Sequence, residues 1–149
     1  MAQYKNTTVP GCGFHHVAIK VSDYDRAAAF YQALGFTVTA SWGDGAARGA
    51  LLDTGDGNYV EVFAGGPATP PRPAFGSAAL DAAPFIHLCF RTHDLERATQ
   101  AALAAGATLS LPIKELTLNT HQGKQIPIRI SFVTAPTGEV IEFFQSADL

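Results

Sequence analysis

Cysteine is nearly absent from this chain: two residues among 149, Cys12 and Cys89. Two cysteines 77 positions apart make neither a disulfide framework nor a zinc pattern, so both are expected to be reduced. Charge is also sparse, at 15% of residues, and the net charge is −3. That balance lacks the basic surplus a nucleic-acid face needs, so no nucleic-acid partner is expected. No run of about 18 apolar residues exists to span a membrane. The first residues, MAQYKNTTVPGCG, have no apolar core of the signal-peptide kind, which sets cytoplasmic as the expected location. What is present is ordinary for a folded domain. Hydrophobic residues make up 47%, enough for a core and too many for intrinsic disorder.

The chain says one thing twice. Phe14 to Gly35, FHHVAIKVSDYDRAAAFYQALG, is followed 71 positions later by Phe85 to Gly106, FIHLCFRTHDLERATQAALAAG. Without a gap, His16 matches His87, Asp23 matches Asp94, Arg26 matches Arg97 and Gly35 matches Gly106. Two copies of so long a unit point to a duplicated module rather than a solenoid. Each copy reads as strand, capped helix and stop. Ser22 or Asp23 is placed to cap the first helix and Asp94 the second, and Gly35 and Gly106 are placed to end them. In the first helix Ala27, Phe30, Tyr31 and Leu34 form the apolar stripe. In the second, Ala98, Ala101, Ala102 and Ala105 take that place.

Three strands are expected after the first helix, near 36–42, 46–53 and 58–63, with glycine turns between them. Residues 65–83 are rich in proline and glycine and read as a linker, with a short helix expected at 74–83. After the second helix, strands are expected at 108–111, 126–134 and 139–145. The repeat resumes there: NYVEVF at 58–63 answers EVIEFF at 139–144. The offset has grown from 71 to 81, which assigns ten extra residues to a loop at 112–127.

Four residues then stand together in the argument: His16, Glu61, His87 and Glu142. Taken singly, each has an ordinary explanation, a core histidine or a solvated edge-strand glutamate. As two equivalent His/Glu pairs they point elsewhere. Alternation puts Glu61 with Tyr59 and Phe63, and Glu142 with Val140 and Phe144. Carboxylates among large apolar neighbours require a positive partner. One divalent metal satisfies both carboxylates and uses both imidazoles. Two imidazoles and two carboxylates suit Ni, Co, Zn, Mn or Fe and leave two octahedral positions for vicinal oxygens of a small-molecule substrate. The expected chemistry is loss of a proton beside a carbonyl, with the enediolate stabilised by the metal. Glu142 is the expected base, with Glu61 as the remaining ligand or a second base.

The motifs HHVAIKV, D-x-x-A-x-x-FY-x-x-LG and PTGEVIEFF resemble the vicinal oxygen chelate superfamily, which includes glyoxalase I, methylmalonyl-CoA epimerase, extradiol dioxygenases and bleomycin resistance proteins. The resemblance runs from Phe14 to Gln145. It implies an α+β fold in which paired βαβββ modules make a curved mixed sheet around a metal cleft. One such domain would fill 1–149, as module one at 13–64, the linker at 65–83 and module two at 84–146. It carries His16, Glu61, His87 and Glu142 onto the four ligand positions of the glyoxalase I type. It also implies a homodimer.

The first expectation is therefore a metal-dependent lyase or isomerase of the glyoxalase I or acyl-CoA epimerase type. An Fe(II) dioxygenase of the extradiol type is the alternative enzyme, and a fourth protein ligand, Glu61, counts against it. A non-catalytic binder of the resistance type is the alternative outside catalysis, and the full ligand set counts against that. Arg129, Cys89 and Lys124 are the weaker substrate-site candidates: the two cations for an anionic tail, the thiol because it shares a face with His87. His15 and His93 are expected to be structural or exposed.

Overall fold

The fourth strand shows how the first half is built. In Tyr59–Phe63, Val60 and Val62 are fully buried while Tyr59, Glu61 and Phe63 are not. Alternation gives the strand one face for packing and one for everything else. The computed structural model describes residues 7–10, 12–67, 78 and 85–149, and divides the chain into two compact units, 1–69 and 70–149.

Unit one runs β1 (His16–Lys20), α1 (Tyr24–Ala33), β2 (Thr37–Trp42), a 3₁₀ turn, β3 (Gly49–Asp53) and β4 (Tyr59–Phe63). The sheet order is β1-β4-β3-β2, with β1 parallel to β4 and the other pairs antiparallel. Helix α1 starts where Asp23 Oδ1 accepts the Arg26 N–H at 3.0 Å, and it stops at Gly35, whose φ of 90° suits glycine alone. Ala27, Phe30 and Tyr31 pack with Ala50, Leu52, Val60 and Val62 to make the core. Leu34, the fourth member of the expected stripe, is the helix cap and only half-buried.

Unit two repeats the plan: β5 (Leu88–Arg91), α2 (Leu95–Ala104), β6 (Thr108–Asn119), β7 (Gln125–Thr134) and β8 (Val140–Gln145). Its sheet order is β5-β8-β7-β6, and β5 is parallel to β8. Asp94 caps α2 through the Arg97 N–H at 2.9 Å, and Gly106 ends it with φ 98°. The fold is thus α+β, two βαβββ units with a four-stranded sheet and a helix each. Among the described residues no helix is long and apolar enough to cross a membrane.

Two expectations change here. The buried face of α2 is Leu95, Thr99 and Ala102; of the expected alanine stripe Ala102 is fully buried, while Ala98, Ala101 and Ala105 are half-buried and Thr99 takes a central place through hydrogen bonds. Its hydroxyl donates to Leu95 O at 2.7 Å and meets Ser131 Oγ at 2.7 Å on β7. The 112–127 segment is not a loop. It is the outer part of a β6–β7 hairpin, with Leu116 opposite Ile128 and Leu118 opposite Ile126. Its apolar residues alternate on both arms, which is why it pairs. Pro112 falls in the register shift between Leu111 and Lys114, where no ladder bond is lost. Most of the 65–83 linker, with the helix expected at 74–83, lies outside the described residues.

Candidate metal centre

Strand register decides which side chains meet. In unit one His16, Ala18 and Lys20 stand opposite Tyr59, Glu61 and Phe63, all on the face away from Val60 and Val62. His16 Nε2 lies 3.3 Å from Glu61 Oε2, and the Glu61 side chain is 17% exposed. In unit two the same register puts Cys89 opposite Glu142, so Cys89 occupies the place that Ala18 has in unit one. His87, just before β5, brings Nε2 to 2.9 Å from Glu142 Oε2, with the Glu142 side chain 13% exposed. Each unit thus assembles one imidazole–carboxylate pair, from β1 and β4 in unit one and from the residue before β5 and β8 in unit two.

These pairs fit a metal ion. Nitrogen and oxygen donors about 2.1 Å from one ion lie about 3.0 Å apart at octahedral cis positions and about 3.4 Å apart at tetrahedral ones. The observed 3.3 and 2.9 Å fall around that range. A neutral imidazole and a carboxylate are also the donor types that divalent first-row ions take. Within each described unit the donors come as a pair; among the described residues no cluster of three metal-binding side chains is formed.

The surroundings of each pair differ. His15 Nδ1 lies 2.8 Å from His16 Nδ1, so one ring donates and the other accepts. His15 is held in turn: its carbonyl accepts the Tyr59 N–H at 2.9 Å, and its ring packs on the Tyr59 ring at 5.0 Å. With Nδ1 of His16 satisfied, Nε2 is the nitrogen presented beside Glu61. His15 was expected to be structural or exposed; it is exposed, and it also holds the ring of its neighbour His16. His87 is steadied differently, edge-on to Phe132 at 5.3 Å. The Cys89 thiol is pushed up to about 12 by burial first, then by the charge of Glu142 and by donating its S–H to that carboxylate. It is therefore a neutral donor next to Glu142 at ordinary pH.

Arg129 is not on this side of the sheet. It stands opposite Gln145, two residues from Ser131, on the face that α2 covers. Its guanidinium pairs with Glu96 of α2, donates to Gln145 Oε1 at 2.9 Å, and has Nε 3.5 Å from Glu115. The Glu96 hydrogen bond raises the Arg129 pKa and lowers that of Glu96. An arginine so engaged, behind the sheet, does not reach a ligand at Glu142. Lys124 also moves away. It closes the hairpin turn, where Thr120 Oγ1 accepts its N–H at 3.0 Å. Eight residues along β7 separate it from Phe132, the neighbour of Glu142, which is on the order of 26 Å of strand. Of the three weaker candidates only Cys89 stands beside its unit's carboxylate.

Comparison with known proteins bears on the whole chain. No curated protein matches it. Solved structures do. The structure of TioX from Micromonospora sp. ML1 is 22% identical with a TM-score of 0.60, covering 91% of this chain and 99% of that one. A glyoxalase/bleomycin resistance protein/dioxygenase from Alicyclobacillus acidocaldarius is 16% identical with a TM-score of 0.63, covering 99% and 96%. A glyoxalase family protein from Enterococcus faecalis is 25% identical with a TM-score of 0.61, covering 89% and 96%. The likeness to the first two is a likeness of fold. The model of one family matches residues 13–143, nearly the whole of both units. The chain belongs to the glyoxalase/bleomycin resistance protein/dioxygenase superfamily.

Proposed function

We propose that this chain is a metal-dependent lyase or isomerase of the glyoxalase I or acyl-CoA epimerase type, which removes a proton next to a carbonyl. One divalent ion, Ni, Co, Zn, Mn or Fe, would be held by His16, Glu61, His87 and Glu142. The observation that carries this reading is the pair in each unit, with imidazole nitrogen and carboxylate oxygen at the separation of neighbouring metal ligands. The reading requires both pairs to face one ion, from one chain or from two copies of a homodimer. When bound, the ion supplies Lewis acidity to two vicinal oxygens of the substrate.

The rest of the chemistry falls to the chain. Glu142 accepts the proton, and Glu61 is the remaining ligand or a second base. Cys89, opposite Glu142 on the neighbouring strand, offers that carboxylate a neutral S–H. Phe132 and Phe144, beside Glu142 on the same face, limit water there. Metal analysis of protein purified without a histidine tag tests the reading. About one equivalent per four-donor site is expected, and less than about half would overturn it. Hemithioacetals and acyl-CoA esters screened for solvent deuterium uptake at the carbon next to the carbonyl then separate lyase from epimerase.

A further inference from the structure

One row of unit one's open face has no counterpart in unit two. Across the sheet, Lys20, Phe63, Gly49 and Trp42 stand side by side on β1, β4, β3 and β2. The Trp42 ring lies across Gly49 and meets the Phe63 ring at 5.8 Å and 67°. A Cβ on Gly49 would fall 2.6 Å from that indole, so the glycine is what lets the ring lie down. Trp42 remains 39% exposed, and Lys20 is exposed at the other end of the row. Among the described residues no carboxylate pairs with Lys20. The corresponding row of unit two is Arg91, Phe144, Ile130 and Lys114, with no second aromatic and no glycine.

The next row contains Ala18, Glu61, Leu51 and Ala40, small or apolar residues around the carboxylate. Rows on one face are two residues apart, about 7 Å. A molecule with its reacting carbon at Glu61 would therefore lay its remaining body on the Trp42 row. An aryl ring there meets a flat indole and the edge of a phenyl, both favourable for aromatic pairing. Among the described residues the other charges of this face are already engaged. Glu61 is beside His16, and the Asp53 carboxylate accepts the Gly55 N–H at 2.6 Å. Lys20 is the charge left to select a ligand, and it selects an anion.

We propose that this row is the subsite for the non-reacting part of the substrate, and that this part is a planar aryl group carrying a carboxylate on a short linker. The ring rests on Trp42 and Phe63, and the carboxylate meets Lys20. This deepens the proposed function, since it places the substrate's body beside Glu61, but the subsite itself needs no metal.

The test uses the full chain with chelator present. Trp42 is the chain's one tryptophan, so its indole N–H gives a single heteronuclear NMR signal to follow. The probes are 3-phenylpropanoate, the neutral 3-phenylpropanamide and the aliphatic hexanoate. Saturable movement of the Trp42 signal is expected with phenylpropanoate, at a dissociation constant about tenfold below those of the other two. Lys20→Met should remove the preference for the carboxylate over the amide. Gly49→Ala should weaken both aryl probes by displacing the indole. If Gly49→Ala fails to fold by circular dichroism, Lys20→Met, at an exposed position, decides alone. Unsaturable shifts, hexanoate binding as well as phenylpropanoate, or an unchanged preference in Lys20→Met would each overturn the proposal. Metal analysis is separate: a metal-free protein that passes this test loses the proposed chemistry and keeps the subsite.

Discussion

The Thr99 and Ser131 hydroxyls meet at 2.7 Å and join α2 to β7 in unit two. Ser131 is 0% exposed and Thr99 is 6% exposed, so neither hydroxyl has water to fall back on. The direction of each bond is fixed by chemistry. Leu95 O only accepts, so the Thr99 hydroxyl donates to it, and the Ser131 hydroxyl must donate to Thr99 Oγ1. Thr99→Val leaves the Ser131 hydroxyl as a buried donor with nothing to meet, which costs about 2 kcal/mol. Ser131→Ala leaves Thr99 Oγ1 without its donor, at about 1–2 kcal/mol. For a chain of this length about 2 kcal/mol is roughly 4–8 °C in Tm. The double variant replaces both hydroxyls with apolar groups of similar shape, so no polar atom is stranded. Its loss should be no larger than that of Thr99→Val alone, giving a coupling of about 1 kcal/mol or more. Urea unfolding of the four proteins, read by circular dichroism, measures the cycle. Losses that add to within about 0.5 kcal/mol would mean that the two hydroxyls do not act as a pair.

Four further outcomes are expected. Glu142→Gln should keep its metal and lose about 10²- to 10⁴-fold in turnover; retained turnover would remove Glu142 as the base. His15→Phe preserves a ring against Tyr59 but takes away the nitrogen facing His16, and chelator competition should show metal held about 10- to 100-fold more weakly. At pH 8 iodoacetamide should modify Cys89 at least about 100-fold more slowly than a thiol of ordinary acidity, because its pKa near 12 leaves little thiolate; peptide mass spectrometry gives the rate. Glu96 has its pKa lowered by the Arg129 hydrogen bond, so its contribution to stability is present above the ordinary value of 4.5 and is lost as pH falls through the lowered one. Wild type should therefore melt above Glu96→Gln at neutral pH, with the gap closing in acid; a gap independent of pH contradicts the pairing.

What could be read without coordinates follows from how local each signal is. Helix caps are announced within three residues: Asp94 caps as expected, and of Ser22 and Asp23 it is Asp23 that accepts the Arg26 N–H. Glu61 and Glu142 sit in strands whose alternation is visible over five residues, so their faces were legible. Arg129 was not. Its face depends on the pairing of β7 with β8 across the turn at 135–139, and one step of register would have turned it onto the face that carries Glu142. The β6–β7 hairpin was hidden by Pro112 and Pro127, which look like loop residues until the bulge beside Pro112 is seen. Thr99 passed unnoticed because a threonine in a helix interior has no periodic signature; its partner lies 32 residues away.

In each unit the sheet acts as a partition. The side chains that bind helix to sheet are Phe30 and Tyr31 with Val60 and Val62 in one unit, and Leu95 and Thr99 with Ser131 and Ile141 in the other. The imidazole–carboxylate pairs lie on the far side of both sheets. For an engineer this separates two design problems. Libraries that repack the helix side can tune melting temperature while the donor atoms keep their positions. Substitutions at Ala18, Cys89 or Leu51 can re-shape what is bound without reaching the packing that keeps each unit folded.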